Sequence, residues 1–504
     1  MDIHDKKWLI CKGYIHIDMP FSSKKKHEIS RYVHNANAIA HHSFLPLMHR
    51  VMKTYPFKIS ANGKRKCKPK KRELFFASHI DAAIYGFYSS RLQEKYEKIL
   101  LDKNLGDVVT AYRKIKASNH YGNKSNIDFA NDAFSYIRNQ ISEDNPLAVI
   151  TFDIKGFFDN LDHHILKDRW KETLGLDELP KDWYQIYKHV TKYSWVEENE
   201  IFGMFKSKIK CKTKNGQISP KRILRKQYLR DKNAVAFCEK SDIRLIRSHG
   251  LIHHRKEQDK VGIPQGLPIS STLANVYMLN FDLEAKQLLH FVGGTYRRYS
   301  DDIIVICPLC IGKYIEKEVI SMIKMVKLTI EPHKTNFYSF KVENGSVNCE
   351  HDKYAKRKNL EYLGFSFDGN RILLKNSSVS KFYYKMHQAI LRSIYFSIHI
   401  NNQTKGKIFE YRLIKHYTAA GARTHRIYKR TKNKRFILSP NRSFGNYLTY
   451  AYKSADLMNS ANIRHQVRRC SNKLSKMIKN AKVQIRNCLN ARAFAQLCNY
   501  GRIY

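Results

Sequence analysis

The chain of 504 residues is 43% hydrophobic, enough apolar material for cores in about two to four domains, which excludes disorder throughout. Its 91 Lys and Arg against 44 Asp and Glu leave a formal charge of +47, an excess that repels itself unless a polyanion neutralises it, so a nucleic-acid partner is expected. Ten irregularly spaced cysteines argue against a disulfide framework or a zinc ribbon, Met1-Asp2-Ile3-His4-Asp5 lacks a secretion-signal pattern, and no window approaches about 18 consecutive apolar residues, so a soluble intracellular chain without a membrane span is expected.

Residues from about Asp18 to Phe57 read as helical and include His41-His42-Ser43-Phe44-Leu45-Pro46-Leu47, an apolar patch closed by proline. The cationic run Lys64-Arg65-Lys66-Cys67-Lys68-Pro69-Lys70-Lys71-Arg72 follows, ahead of a strand at Leu74-Phe75-Phe76. Such a run fits a solvated loop, and this one also satisfies a nuclear-localisation pattern. Helical periodicity runs from Ile84 to Leu100, and the short segments Ala111-Tyr112-Arg113-Lys114 and Asn126-Ile127-Asp128-Phe129-Ala130 come next. Ala148-Val149-Ile150-Thr151-Phe152 is an apolar strand pattern that ends in Asp153.

Within the long stretch 163–260, Trp183 to Lys188 reads as helix, while Phe205 to Arg230 is cationic and reads as a surface insertion that touches RNA. Gly262-Ile263-Pro264-Gln265-Gly266-Leu267-Pro268-Ile269-Ser270-Ser271 is a glycine-punctuated loop opening a helix, with Ser270 or Ser271 as cap. In Arg297-Arg298-Tyr299-Ser300-Asp301-Asp302 two adjacent carboxylates stand at a turn before the β-branched run Ile303-Ile304-Val305-Ile306, where both can face one cation. Cys307 and Cys310 have no second close pair and read as core or loop thiols. Between Lys405 and Arg435 eleven Lys or Arg are interleaved with Tyr411, Tyr417 and Tyr428, which suits RNA binding; a solvated helical surface is the alternative. Finally Ile463, Val467, Cys470, Leu474, Met477, Ala481, Ile485 and Cys488 recur at helical spacing, a face to be buried against neighbouring helices or used in self-association.

In their order, the segments around Asp153, around 262–271 and around 299–302 resemble motifs A, B and C of reverse transcriptases. Leu328-Thr329-Ile330-Glu331-Pro332-His333-Lys334-Thr335 resembles motif D, and Tyr362-Leu363-Gly364-Phe365-Ser366-Phe367 with Gly369 resembles motif E. The resemblance implies an α/β (α+β) right-hand polymerase with fingers, a palm with an antiparallel sheet, a mainly helical thumb and a C-terminal helical extension. Its divisions are a helical region over 1–60, fingers and palm over 61–385, and a basic thumb with extension over 386–504. Asp153, Asp301 and, secondarily, Asp302, with the carbonyl of Ile154, are the implied ligands of two magnesium ions, with manganese as substitute. Three clustered carboxylates without metal would repel one another and drive at least one toward protonation, so cations are required.

By the same resemblance Lys70, Lys71 and Arg72 contact the triphosphate from a fingers hairpin, Gln265, Gly266 and Tyr299 line the nucleotide pocket, and Lys334 is a proton donor to departing pyrophosphate or else a surface charge. Phe157 and Phe158 are assigned to the same pocket, with palm core as the alternative for both and the better reading for Phe157; the Phe158 ring collides with a ribose 2′-hydroxyl and favours deoxynucleotides. Lys405, Lys407, Arg412, Arg423, Arg426, Lys429, Arg430, Lys432, Lys434 and Arg435 are the nucleic-acid contacts of the thumb. The segments His42-Ser43-Phe44-Leu45-Pro46, Ala111 to Lys114 and Asn126 to Ala130 look like the bacterial defence-associated and abortive-infection enzymes. That implies an RNA-directed DNA polymerase of the bacterial cytoplasm, copying a dedicated non-coding RNA template into DNA from deoxynucleoside triphosphates in antiphage defence, without a membrane partner and with a homo-oligomer as an option. A group II intron- or retron-type enzyme and a non-catalytic RNA scaffold are the rival readings.

Overall fold

The computed structural model describes residues 8–55, 69–118, 122–213, 215–256, 259–352, 358–399, 406–423, 426–430, 435–442 and 445–500, the side chains of 426, 427, 429, 430, 439–442 and 492–500 excepted. Helices and mostly antiparallel sheets make up two compact units, the mixed class expected of a right-hand polymerase. The first unit comprises Met1–Arg113, Phe152–Ile303 and Lys313–Thr335, and the second Lys114–Thr151, Ile304–Gly312 and Asn336–Tyr504. The strands Leu147–Asp153 and Asp302–Pro308 each run through a boundary, so that Asp153, Asp301 and Asp302 all belong to the first unit.

In the first unit the helical reading of residues 18–57 holds only for its first half. Helices Lys26–His34 and Ala36–Ala40 meet at Asn35, whose side chain accepts from the Ala38 amide at 3.0 Å. Beyond Pro46, which disfavours helix in the residue before it, Leu47–Thr54 is a strand. It pairs antiparallel with Lys70–Phe76 and parallel with Ser194–Glu197, and pairing on both edges overrides the weak local pattern. Helix His79–Asp102 starts at Ser78, whose hydroxyl accepts from the Asp81 amide.

The cationic stretch from Phe205 to Arg230 is more than a surface insertion. Strand Ile209–Lys212 lies between Ile218–Lys221 and Ala234–Ala236 in an antiparallel sheet. Ile209 and Cys211 turn inward to a core with Ile17, Met48, Val196, Ile201, Phe205, Phe237 and Ile246, leaving the alternate lysines on the other face. Period-two alternation therefore organises this segment around its own hydrophobic centre.

In the second unit, residues 147–151 pair antiparallel with Asn336–Glu343, which forms a hairpin with Ser346–His351. Leu360–Tyr362, Phe365–Phe367 and Ile372–Leu374 make a further antiparallel sheet, turning at Leu363 and Gly364, both at positive φ. The amphipathic pattern from Ile463 onward forms two helices, Ala461–Val467 and Cys470–Tyr500, rather than one. Ile463, Val467, Cys470, Leu474, Ala481 and Ile485 are buried in one cluster with Phe382, Met386, Ile390 and Ile394 of helix Asn376–His399, so this face is consumed inside the unit. Among the described residues of the basic run from Lys405, Glu410–Tyr417 is an α-helix, and Arg426–Arg430 and Phe436–Arg442 form a β-hairpin within this mainly helical region.

Candidate active site

Asp153 ends its strand, half-buried, and the chain turns away through Gly156 at φ +54. The turn is closed by Asn160, whose side-chain amide donates to the carbonyls of Lys155 at 2.9 Å and Gly156 at 3.1 Å. Thr295–Tyr299 approaches as a strand, turns at Ser300 with φ +61, and presents Asp301 and Asp302. The Ile154 amide donates to the Asp301 carbonyl at 3.3 Å, which puts the two carboxylate-bearing turns side by side. On the other flank the Lys155 amide donates to Thr329 at 2.9 Å and the Glu331 amide to Asp153 at 2.8 Å. This pairing delivers Lys334, whose Nζ lies 2.5 Å from Asp153 Oδ1 in an ion pair open to solvent.

The glycine-punctuated loop is locked to both neighbours. The Ile263 amide donates to the Phe158 carbonyl at 2.8 Å, the Gly262 amide to Leu161 at 2.6 Å, and the Phe75 amide to the Gln265 carbonyl at 2.9 Å. Gly266 sits at φ +117, and a Cβ there would stand 2.7 Å from the Phe75 carbonyl oxygen, so close approach to the strand requires glycine. Ser270 does not cap the helix Ser270–Tyr277: Ile269 is the cap residue, and the Ser270 hydroxyl instead donates to Pro264 at 2.6 Å. Phe157 is buried, whereas Phe158 is half-exposed with its ring 5.6 Å from that of Phe157. Lys70, Lys71 and Arg72 are exposed on the strand opposite Thr54, Lys53 and Met52.

Two features beside the Asp301 turn were not singled out from sequence. Arg298 is fully buried, with Nε 2.7 Å from Asp282 Oδ1, Nη2 2.6 Å from Asp282 Oδ2, and Nη1 3.2 Å from both Asn275 Oδ1 and the Ser300 carbonyl. The alternation of Tyr296 and Arg298 on the inward side of a strand was the available signal, since a buried cation calls for a carboxylate. Tyr112, at φ +63 and 50% exposed, brings its hydroxyl 3.1 Å from Ser300 Oγ. Burial, aided by Tyr112 and Asp302, raises the Tyr299 hydroxyl above its ordinary pKa. Burial, with Glu73 nearby and against Arg255, likewise raises the Asp159 carboxyl.

Among the described residues no three His, Cys, Asp or Glu side chains are gathered into a ready-made metal cage, and the ammonium of Lys334 occupies one side of Asp153. The donors nevertheless suit magnesium, a hard ion that takes one or two carboxylates and completes its shell with water and substrate phosphate. Of the basic C-terminal set, Lys407, Arg412, Arg423 and Arg435 are exposed. Arg426, Lys429 and Arg430 lie on a strand with side chains outside the described residues, as are Lys405, Lys432 and Lys434 altogether. Cys307 is buried and Cys310 exposed, both free thiols.

Residues 206–367 match the family described as reverse transcriptase (RNA-dependent DNA polymerase). The likeness to reverse transcriptases covers this stretch alone. It takes in the Gln265 loop, the Asp301-Asp302 turn and Lys334, and its family's chemistry is RNA-directed DNA synthesis. Asp153 lies upstream of the matched residues and joins them through the backbone hydrogen bonds above. No curated protein matches the chain. Similar solved structures include apo telomerase from Candida tropicalis, at 13% identity over 74% of this chain and 57% of that one with a TM-score of 0.37. A form truncated from its C-terminal domain has 12% identity over 71% and 61%, TM-score 0.34. Telomerase from Candida albicans in complex with a fragment of telomeric RNA has 14% identity over 73% and 55%, TM-score 0.34. The chain thus spans less than two thirds of the length of each. No helix among the described residues is long and apolar enough to cross a membrane.

Proposed function

We propose that this chain copies an RNA template into DNA with two divalent metal ions held at Asp153 and Asp301, assisted by Asp302 and the Ile154 carbonyl. The observation that carries the reading is the Ile154 to Asp301 hydrogen bond, which sets the two turns together inside a chain whose next segments match reverse transcriptases. Magnesium, or manganese in its place, would lower the pKa of a primer 3′-hydroxyl and neutralise the triphosphate. Lys334 carries a proton beside Asp153 and supplies it to departing pyrophosphate. Phe158, held at its carbonyl by Ile263, stands under the sugar and excludes a 2′-hydroxyl, while Gln265 and Gly266 with Tyr299 border the nucleotide and Lys70, Lys71 and Arg72 meet the phosphates.

A dedicated non-coding RNA, an antiphage role and a bacterial cytoplasmic setting are part of the proposal, supported by the short resemblances at His42 to Pro46, Ala111 to Lys114 and Asn126 to Ala130. Purified protein with magnesium, deoxynucleotides and primed RNA should incorporate label, and Asp153→Asn or Asp301→Asn should abolish incorporation while leaving RNA binding intact. Full activity in either variant would refute the reading. Sequencing the RNA that copurifies from the host separates a dedicated template from an intron- or retron-type RNA.

A further inference from the structure

Residues 206–232 hold eleven Lys or Arg against the single acid Asp231, a charge imbalance steeper than that of the chain as a whole. The fold displays these charges rather than dispersing them. Ile209 and Cys211 point into the local core, so Lys210 and Lys212 share the outer face of the sheet, about 7 Å apart along the strand. Lys212, Lys226 and Arg230 line one groove of about 710 Å³ with Arg50, Tyr14 and Asn233.

Acidic partners account for only part of this charge. Glu198 receives both Arg50 and Lys226, and Glu239 receives Lys210 at 2.6 Å. Lys206, Lys212, Lys221, Arg222, Arg225, Arg230 and Lys232 have no acidic partner among the described residues, and all seven are exposed. Nearby, Leu224 and Tyr228 leave apolar surface in water at 63% and 43% exposure, and a tyrosine face is a stacking platform for an unpaired base. Such a display repels itself, and a buried core beneath it holds the charges in place instead of letting them spread.

We infer that this sheet and its groove form a second RNA-binding site, which grips the phosphates of single-stranded RNA apart from the carboxylate turns. The choice of RNA among polyanions rests on the proposed function; the existence of a polyanion site does not.

The test is equilibrium binding of a single-stranded RNA of about 40 nucleotides to the full chain, without metal or nucleotides, across a salt series. In the triple variant Lys212→Glu, Arg225→Glu, Arg230→Glu, affinity should fall on the order of tenfold or more. The slope of log affinity against log salt should become shallower by about 0.7 for each lost contact. A charge-matched control, Lys95→Glu, Lys98→Glu, Lys103→Glu on exposed positions at and after the end of helix His79–Asp102, should lose much less. The milder pair Lys212→Gln, Arg230→Gln guards against misfolding and should show the same effect at smaller size. Extension of a saturating short primer–template should stay within about twofold in kcat, so loss of binding here and loss of catalysis in Asp301→Asn remain separate results. Equal losses in the control and triple variants, or an unchanged salt slope, overturn the site; stronger loss for duplex DNA than for single-stranded RNA overturns the RNA assignment.

Discussion

Replacing Arg298 with methionine tests whether the Asp301 turn stands on a buried ion pair. Burial opposes the guanidinium's charge, but Asp282 on two of its nitrogens more than compensates and raises its pKa. Without the guanidinium, the Asp282 carboxylate keeps, among the described residues, only the Tyr296 hydroxyl, 2.7 Å from Oδ1, inside a fully buried site. Leaving one member of a buried pair uncompensated costs about 3–5 kcal/mol. At about 2–4 °C per kcal/mol for a large domain, melting should fall by roughly 6–20 °C, read by tryptophan fluorescence on heating. Removing both charges with Asp282→Leu in the same chain should recover most of that loss, because an apolar pair of similar volume has no charge to desolvate. The double variant still lacks the donor to the Ser300 carbonyl, so its primer extension should be slower by about tenfold to a hundredfold although it folds. A single variant that melts with the parent, or a double variant no more stable than the single, would show that the pair does not support the turn.

The remaining outcomes concern the nucleotide pocket and the response to acid. Phe158→Ala should raise ribonucleotide incorporation relative to deoxynucleotide by about tenfold or more in single-turnover extension, and unchanged sugar discrimination would place the gate elsewhere. Burial lowers the His189 imidazole to about 4, with Asp81 opposing, and its ring packs 4.4 Å from that of Phe44. Between pH about 6.5 and about 4 the unfolded chain binds a proton there that the folded chain refuses, so stability is full above that window and falls by roughly 2–3 kcal/mol across it. His189→Phe should flatten that part of a pH series of denaturant midpoints; an undiminished slope assigns the acid sensitivity to other groups.

Where the sequence reading succeeded, the signal was local. A run such as Ala148 to Phe152 announces a buried strand, its terminal aspartate announces where that strand leaves the core, and the glycines of 262–266 announce a backbone that must come close to something. Where it failed, the deciding partner was far away in the chain. Leu47–Thr54 looks unremarkable until Lys70–Phe76 and Ser194–Glu197 pair on its two edges. Ser270 has the composition of a cap, yet the loop folds its own Pro264 carbonyl within reach first. The cationic stretch after Phe205 conceals Ile209 and Cys211, an alternation obscured by the lysines between them.

The residue order by itself determined which chemistries were open to this protein: carboxylates at strand ends suited to a cation, an excess of positive charge suited to a polyanion, an aromatic close after Asp153. Those follow from side-chain type and spacing of neighbours, which the chain carries however it folds. Only the tertiary structure decided that the Ile154 amide reaches Asp301, that Lys334 rests on Asp153, that Asp282 and not some other carboxylate neutralises Arg298, and that Gly266 presses on Phe75. Each is a meeting of segments far apart in sequence, selected by the packing of many side chains at once, and no single stretch of residues contains that information.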